Sequence, residues 1–467
     1  MQKKFISRQC GCRRLLLIYA GWGMDWRPFR ELSLPGYDIM VLWDYRDLTF
    51  NWKPLMAYDE VCLVAWSMGV FAASVTIHEL LPRITKRIAI NGTLDPIHDS
   101  KGIPSVIYHG TINALSPSTL RKFYRRMCMN ADEFEAFRAN QPKRTIAELS
   151  EELRAIETHY IFHVPQVREW DLAVVSRHDA IFPTQNQVTA WRQLAPIQFM
   201  EAAHLPDFRK ILPRLFIDKD RVRARFANAA ATYSAQAKAQ HAIAAALFRR
   251  FRQNSAPSAM DGNILEVGCG DGTLTRLFSP LVHPLSVVRL WDLAGDKAPE
   301  GSPGNAIFEN CDAETAIRRL PAASQAVIFS ASTIQWFNSP ASFLRQCRRV
   351  LISGGYLVLS TFVHGNLKEL TELAGSGLQL PMAEGWRRML PEGMEPIVCD
   401  VAPQVLTFAE PREVLEHLRD TGVNAVDFGR NGAALARKLL EEYPRQADGS
   451  CTLTYMPVYM IVRKQDL

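Results

Sequence analysis

The sequence predicts an α/β chain of two domains, each built around a mostly parallel sheet with helices on its faces. Its 467 residues are too many for one ordinary core and suit two. Short apolar runs alternate with helical stretches in both halves, which is the pattern of parallel strands joined by helices. The chain divides near residue 220, and we expect domains at 1–218 and 219–467.

Amino-acid composition argues against nucleic-acid, membrane and metal binding. Hydrophobic residues make up 48% of the chain and charged residues 22%, so each half can bury a core, and a net charge of +6 is too small to indicate a nucleic-acid binder. The apolar run Leu15–Ala20 falls short of the ~20 residues of a membrane span. Nine irregularly spaced cysteines indicate reduced thiols in a cytoplasmic protein. Cys10 and Cys12 lack a second ligand pair, so no metal site is expected.

The N-terminal half is a strand–helix series with one interruption. Residues 116–160 are polar and favour helices without obvious strands, so we expect a helical lid inserted into the domain. Short apolar runs in turn-rich surroundings predict six strands: Leu15–Ala20, Asp38–Trp43, Val61–Ala65, Arg87–Asn91, Asp171–Ser176 and Ile197–Met200.

The first chemical signal is residues 65–69, Ala-Trp-Ser-Met-Gly, at the end of a predicted strand. A strand that enters a tight turn, with Ser67 at the apex and small residues two positions before and after it, is the pattern of a nucleophile elbow. The small residues are needed because the strand and the next helix approach closely. Ala65 stands where glycine is usual, so a chance loop serine is the alternative.

Two further residues complete a serine-hydrolase set. His204 follows the last predicted strand and is the candidate general base, and Asp179 follows the preceding strand and is the candidate acid. The chain order Ser67, Asp179, His204 is that of α/β-hydrolases. Asp95, after an earlier strand, is a rival acid. Two other histidines are predicted to be helix-surface and loop residues: His78 and His178.

The turn after the first strand predicts an oxyanion hole. Gly21 and Gly23 flank Trp22, whose backbone N–H can face the nucleophile, and the N–H of Met68 follows Ser67 directly. These features together predict an α/β-hydrolase fold with a helical lid insertion.

A helical stretch over 223–252 leads to a stronger signal at residues 263–274. An apolar strand there enters a turn containing Gly268, Gly270 and Gly272, which lets the backbone pass close under a bulky ligand. Asp292 ends the next strand, Leu285–Trp291, and is placed to hold both hydroxyls of a ribose. Taken alone, these residues fit a dinucleotide as well as S-adenosylmethionine.

The rest of this half separates the two ligands. Glu266 precedes the glycines, and Asp312 and Ala313 follow the third strand, as in methyltransferase adenine pockets. A fourth strand at 327–330, residues 334–336 beyond its end, the turn 350–355 and the strand Tyr356–Thr361 complete the pattern. The sequence therefore predicts a class I, Rossmann-like methyltransferase fold with S-adenosylmethionine as cofactor.

Both halves resemble known families. Residues 1 to about 216 resemble the BioG family of pimeloyl-carrier-protein methyl ester esterases, through residues 20–25, 65–69 and 203–206. Residues from about 221 to 467 resemble BioC, the malonyl-carrier-protein O-methyltransferases of biotin synthesis. Beyond the glycine motif, the matching segments are 225–226, 230–233, 334–337, 362–370, 414–425 and 453–455.

The resemblance implies a bifunctional enzyme. One half would methylate the free carboxylate of malonyl-acyl carrier protein, so that the chain enters elongation uncharged, because burying a charged carboxylate is costly. The other half would later hydrolyse the methyl ester of pimeloyl-acyl carrier protein and end elongation. The resemblance further implies that Tyr233, Gln335 and Trp336 position the malonyl substrate.

The lid indicates where the carrier protein docks. Its first part carries Arg121, Arg125 and Arg126, which we expect to receive an acidic carrier helix, and a solvated lid is the alternative. More basic residues follow in the lid: Arg138, Lys143, Arg144 and Arg154.

The sequence is also compatible with two other functions. The pair of enzymes could act on a free small-molecule carboxylate, or the hydrolase-like half could be inert and only dock the carrier.

Overall fold

A computed structural model describes residues 1–167, 170–374, 380–422 and 432–466. The chain forms two compact units, Met1–Phe216 and Ile217–Leu467. Among the described residues, no helix combines the length and the apolar character that a membrane crossing requires.

The first unit is built on a seven-stranded sheet. Its strands are β1 (Gln2–Ser7), β2 (Arg14–Tyr19), β3 (Asp38–Trp43), β4 (Glu60–Trp66), β5 (Ile84–Ile90), β6 (Leu172–Ser176) and β7 (Ile197–Met200). Their order across the sheet is β1-β3-β2-β4-β5-β6-β7, and every pair is parallel except β1 with β3. The six predicted strands are confirmed with small shifts in their ends. β1 was missed because it is a polar edge strand.

Helices cover this sheet and form an insertion between β5 and β6. They are α1 (Gly69–Thr76), α2 (Ser105–Asn113), α3 (Pro117–Met127), α4 (Ala131–Ala139), α5 (Ile146–Phe162), α6 (Thr184–Trp191) and α7 (Phe208–Leu215). The helical insertion begins at Ser105 and not near 116. Sequence reasoning missed α2 because Gly110 in its interior disfavours a helix.

The second unit contains another seven-stranded sheet. Its strands are β8 (Ile264–Val267), β9 (Val288–Asp292), β10 (Ala306–Asn310), β11 (Gln325–Ala331), β12 (Leu351–Phe362), β13 (Met394–Val401) and β16 (Pro457–Lys464), while β14 (Gln404–Phe408) and β15 (Cys451–Tyr455) pair separately. The order is β10-β9-β8-β11-β12-β16-β13, with β16 antiparallel to both neighbours. This is a methyltransferase-like Rossmann fold, as predicted. The carboxyl ends of its parallel strands meet at one edge, where such folds bind ligands.

The helices of the second unit are α8 (Lys219–Gln236), α9 (Lys238–Asn254), α10 (Thr273–Phe278), α11 (Ala313–Ala316), α12 (Pro340–Val350), α13 (Lys368–Ala374), α14 (Ala383–Arg388), α15 (Pro411–Asp420) and α16 (Gly432–Glu442). The helical stretch expected over 223–252 is two helices that meet at Ala237, whose ψ of 39° departs from helical geometry. The last three residues of the matching segment 414–425 lie outside the described residues.

Candidate active sites

The first site is built on the turn between β4 and α1. β4 ends at Trp66 and α1 begins at Gly69, which leaves Ser67 at the apex with φ of +59°. A positive φ is strained for a residue with a side chain, and such strain is concentrated at functional positions. A Cβ at Gly69 would lie 2.6 Å from the carbonyl oxygens of Tyr19 and Ala20, so the end of β2 requires the glycine of the motif.

Ser67, His204 and Asp179 form one hydrogen-bonded chain. His204 Nε2 lies 3.0 Å from Ser67 Oγ, and His204 Nδ1 lies 2.9 Å from Asp179 Oδ2. All three residues are buried, and His204 is only 1% exposed, so water competes little for these contacts. The structure thus brings together the nucleophile, base and acid that the sequence predicts. An imidazole held in this way can accept the serine proton.

Several donors fix the orientation of Asp179. Its Oδ1 accepts hydrogen bonds from the backbone N–H groups of Ile181 and Phe182, and its Oδ2 accepts one from Gln187 Nε2 at 2.9 Å. Gln187 lies on α6 and is fully buried. Sequence reasoning missed Gln187, because a single glutamine in a helix carries no motif.

The loop that carries His204 is fixed through its backbone. Asn91 Nδ2 and Trp66 Nε1 each donate a hydrogen bond to the carbonyl oxygen of His204, both at 2.9 Å. Asn91 directly follows β5 and has φ of +46°, a conformation that asparagine tolerates better than most residues. The position after a parallel strand was the only signal that could have indicated it.

The alternative acid and the two other histidines considered from the sequence do not join this hydrogen-bonded chain. Asp95 accepts a hydrogen bond from the Tyr160 hydroxyl and not from His204. His178 pairs with Glu201 on the surface, and His78 is exposed.

The turn after β2 approaches Ser67 closely. A Cβ built on Gly21 would lie 3.1 Å from Ser67 Cβ, so the backbone of this turn passes directly beside the serine. Trp22 and Met68, the predicted oxyanion donors, are both buried. Within the described part of the chain, neither backbone N–H donates a hydrogen bond to another group.

Helix α3 of the insertion is bonded to the residues next to Asp179 and His204. The backbone N–H of Leu205 donates to the carbonyl oxygen of Met127 at 2.8 Å, and Arg126 donates to the carbonyl oxygen of Ala180 at 2.7 Å. The side chains of Arg121 and Arg125 on the same helix are exposed, as is Arg126.

Arg144 corrects the sequence interpretation of the lid. Its side chain is only 5% exposed, and its guanidinium pairs with the carboxylates of Glu152 and Asp44 at 2.6 and 3.2 Å. It therefore contributes to the interior of the unit and not to a docking surface. Lys143 and Arg154 remain exposed, and Arg138 forms a surface ion pair with Glu135.

The second unit contains a cavity of about 220 Å³ at the carboxyl ends of β8, β9, β10 and β11. Helix α8 contributes one wall, and the segments that follow these four strands contribute the others. The predicted site residues among those that line it are Tyr233, Gly268, Gly270, Asp292, Asp312, Ala313 and Trp336.

Gly270 and Asp292 hold the glycine turn in place. Gly270 has φ of +50°, and a Cβ built on it meets no atom within 4 Å, so this edge of the turn borders open space. Its N–H donates to Asp292 Oδ2 at 2.8 Å, while Asp292 Oδ1 accepts from the N–H groups of Ala294 and Gly295. The Asp292 carboxylate is thus oriented at the end of β9, where the sequence places it.

Three residues predicted to contact cofactor or substrate do not line the cavity. Glu266 is buried in β8 and accepts a hydrogen bond from Thr275 Oγ1 at 2.6 Å. Gly272 is the N-cap of α10, and the amide of Gln335 is bonded within its own turn and to Thr361. Their contact with cofactor or substrate therefore stays a prediction.

Lys219, at the first position of α8, is a cavity residue that sequence reasoning missed. Its ammonium lies 2.7 Å from Glu314 and 3.2 Å from Asp312, beside the ring of Phe337. Burial alone would lower the pKa of Lys219, but the two carboxylates raise it above its ordinary value. The lysine therefore stays charged and joins α8 to the loop that carries Asp312.

Two family models match the chain. The model described as pimeloyl-ACP methyl esterase BioG matches residues 1–211, and a methyltransferase-domain model matches residues 265–359. A relative named malonyl-[acyl-carrier protein] O-methyltransferase, from Bacteroides fragilis, is 34% identical over an alignment of 467 positions that covers 97% of this chain and 93% of the relative. The chain belongs to this methyltransferase family.

Other relatives match one half of this malonyl-[acyl-carrier protein] O-methyltransferase family member. A Haemophilus influenzae protein of the same family name is 30% identical over 255 residues, 53% of this chain and 95% of that protein. A crystal structure of BioG from Haemophilus influenzae is 34% identical and covers 44% of this chain and 94% of its own, with a TM-score of 0.41. The predicted fusion of a BioG domain with a BioC-type methyltransferase is therefore confirmed.

Proposed function

We propose that the chain is a bifunctional enzyme of biotin synthesis. Its second unit methylates the free carboxylate of malonyl-acyl carrier protein with S-adenosylmethionine, and its first unit hydrolyses the methyl ester of pimeloyl-acyl carrier protein. Family membership supports the methylation. The observation that carries the hydrolysis is the hydrogen-bonded chain from Ser67 through His204 to Asp179, because a family name alone supplies no nucleophile.

We assign the first unit to the α/β-hydrolase fold. Its six parallel strands carry an antiparallel strand at one edge. The serine follows β4, the acid follows β6 and the base follows β7, the chain order typical of that fold.

Ester hydrolysis would proceed through an acyl-enzyme. Ser67 Oγ attacks the ester carbonyl while His204 Nε2 takes the serine proton and then delivers it to the departing methanol. Water repeats the sequence on the pimeloyl-serine ester and releases the carboxylate. The N–H groups of Trp22 and Met68 would stabilise the oxyanion, and Asp179 stabilises the imidazolium.

The cavity of the second unit suits S-adenosylmethionine. Glycine backbone borders it on one side, and the carboxylate of Asp292 provides acceptors for ribose hydroxyls. Apolar groups on α8 and after β11, including Phe226 and Trp336, form an apolar wall of the cavity. When bound, S-adenosylmethionine supplies an electrophilic methyl group.

Methyl transfer to a carboxylate requires no strong general base from this chain. A malonyl carboxylate is ionised at neutral pH and is already a nucleophile, so orientation and exclusion of water carry the rate. Tyr233 and Trp336 line the cavity and are bridged by Phe226, whose ring packs edge-on against both. We infer that this aromatic cluster orients the acyl substrate.

The carrier protein would dock on α3 of the insertion. Arg121 and Arg125 are exposed there, and Arg126 contacts the residue beside Asp179. A carrier seated on this helix would therefore deliver its acyl chain next to the triad. An acidic carrier surface is attracted by such a basic cluster.

Mass spectrometry of intact carrier proteins tests both halves. The wild-type chain should remove the methyl group from methyl-pimeloyl-carrier protein, and should add one to malonyl-carrier protein when S-adenosylmethionine is present. Ser67→Ala should lower hydrolysis by several orders of magnitude and leave methylation intact. Loss of both activities in a folded Ser67→Ala protein would contradict the assignment of hydrolysis to the first unit and methylation to the second. Equal turnover of free and carrier-bound substrates would contradict the choice of partner.

A further inference from the structure

Lid helix α5 places a buried carboxylate against the turn beside the nucleophile. Glu152 is fully buried, and its Oε2 accepts the backbone N–H of Gly23 at 3.4 Å while its Oε1 accepts the N–H of Tyr45 at 2.9 Å. Arg144 donates to the same carboxylate at 2.6 Å. One side chain of the insertion therefore binds both the turn after β2 and the turn after β3.

The residues around Trp22 are held from several directions. The indole N–H of Trp22 donates to the carbonyl oxygen of Leu149, one turn before Glu152 on α5, at 3.0 Å. The Tyr124 hydroxyl donates to the carbonyl oxygen of Gly23 at 3.4 Å, and the Tyr45 hydroxyl donates to that of Ala20 at 2.6 Å. The Trp22 peptide thus has little freedom to rotate.

The position of this turn matters because Gly21 lies against Ser67. A displacement of about 1 Å beside a reacting atom can cost two orders of magnitude in rate. We propose that Glu152 is a positioning residue for ester hydrolysis, which holds the Trp22 amide where it can donate to the oxyanion formed on the Ser67 adduct. This inference rests on the proposed esterase function.

The chemistry of the contacts requires a carboxylate. Three N–H donors converge on Glu152, and only two acceptor oxygens can receive them. A glutamine would keep the volume but turn an NH2 group toward one of those donors. The Arg144 guanidinium balances the charge, so the carboxylate does not place an uncompensated negative charge near the developing oxyanion.

The test is Glu152→Gln, compared with Glu151→Gln on the same helix, whose carboxylate pairs with Arg46 nearer the surface. We expect kcat for ester hydrolysis to fall roughly tenfold to a hundredfold in Glu152→Gln, with KM within about twofold of wild type. Affinity for a trifluoromethyl ketone, which forms an oxyanion on Ser67, should fall by a similar factor. Glu151→Gln should change neither quantity.

Wild-type kcat and inhibitor affinity in a folded Glu152→Gln protein would overturn the proposal. If that variant does not fold, Tyr124→Phe removes only the hydroxyl bonded to Gly23 and should lower kcat severalfold, and an unchanged kcat there would overturn it equally. A wild-type chain that fails to hydrolyse the ester would contradict the esterase function itself, so the two failures are distinguishable.

Discussion

The ammonium group of Lys219 lies 2.7 Å from the carboxylate of Glu314, and only 4% of the lysine side chain is exposed. Glu314 in turn accepts the backbone N–H groups of Asn338 and Ser339, just beyond Trp336. The start of α8, the loop after β10 and the turn after β11 are thereby joined through one buried ion pair. All three border the cavity.

Replacing this lysine should weaken cofactor binding. Lys219→Met leaves the carboxylates of Asp312 and Glu314 without their buried cation, which is strongly unfavourable. We expect the Kd for S-adenosylmethionine, measured by calorimetry, to rise about tenfold or more. Lys238→Met, at an exposed position on α9, is the matched control. An unchanged Kd in Lys219→Met would show that the ion pair does not shape the cavity.

A branched side chain in the glycine turn should abolish cofactor binding. Gly270→Val puts a β-branched residue at φ of +50°, which L side chains rarely adopt, and projects it into open space beside the cavity. We expect no calorimetric signal with S-adenosylmethionine, while hydrolysis of methyl-pimeloyl-carrier protein continues. Asp292→Ala should weaken binding less completely, since it removes the ribose acceptor and frees the N–H of Gly270. Tight binding of NAD to the wild-type chain would instead contradict the methyltransferase assignment.

Glu266 should make the stability of the second unit depend on pH. Burial raises the pKa of Glu266 to about 8, and the hydrogen bond from Thr275 opposes this only in part. The folded state therefore retains a proton between about pH 4.5 and 8 that the unfolded chain releases. The contribution of Glu266 to stability therefore falls as pH rises through this window, by at most about 1.4 kcal/mol per pH unit.

Glu266→Gln removes this titration while keeping an acceptor for Thr275. We expect the variant to gain thermal stability over wild type as the pH increases from 5 to 8, and to differ least at pH 5. Differential scanning calorimetry across that range measures the effect on the unfolding of the second unit. Glu300→Gln, at an exposed carboxylate, should leave the pH profile unchanged. A parallel profile for Glu266→Gln and wild type would contradict the raised pKa.

Strand–turn–helix motifs predicted most of both sites because they fix backbone geometry locally. Residues 65–69 and 263–274 specify where a strand ends and which side chain or N–H group faces outward, so Ser67 and Gly270 could be placed from the sequence. His204 and Asp179 followed from the strand order alone. No local pattern shows what a distant side chain will contact, and for that reason Gln187, Lys219 and Glu152 emerged only from the folded chain.

The same limit explains the corrections. Arg144 and the exposed arginines of α3 look alike in the sequence. A guanidinium is buried only where the fold places a carboxylate such as Glu152 beside it, and the sequence does not show that placement. Glu266 adjoins the glycines in the sequence, which does not show what its side chain contacts. In the folded chain its carboxylate accepts a hydrogen bond from Thr275.

The docking prediction can now be separated from catalysis. Reversing the charge of Arg126 would disturb its bond to Ala180, and with it the loop that carries Asp179. Within the described residues, Arg121 and Arg125 show no hydrogen bond to that loop, and Arg125 donates to the carbonyl oxygen of Cys128 at the end of its own helix. The informative variant is therefore the double substitution Arg121→Glu and Arg125→Glu, with Arg126 left in place.

We expect this double variant to raise KM for methyl-pimeloyl-carrier protein about tenfold at low salt and to leave hydrolysis of a small free methyl ester nearly unchanged. The reason is that a basic surface mainly accelerates association with an acidic partner, and salt screens that attraction over a Debye length of ~10 Å at 0.1 M. The difference between variant and wild type should therefore shrink as salt is added. Reversal of Lys143 and Arg154, exposed elsewhere on the lid, is the control. If the control raises KM as much, or if the free ester responds like the carrier-bound one, the carrier does not dock on α3.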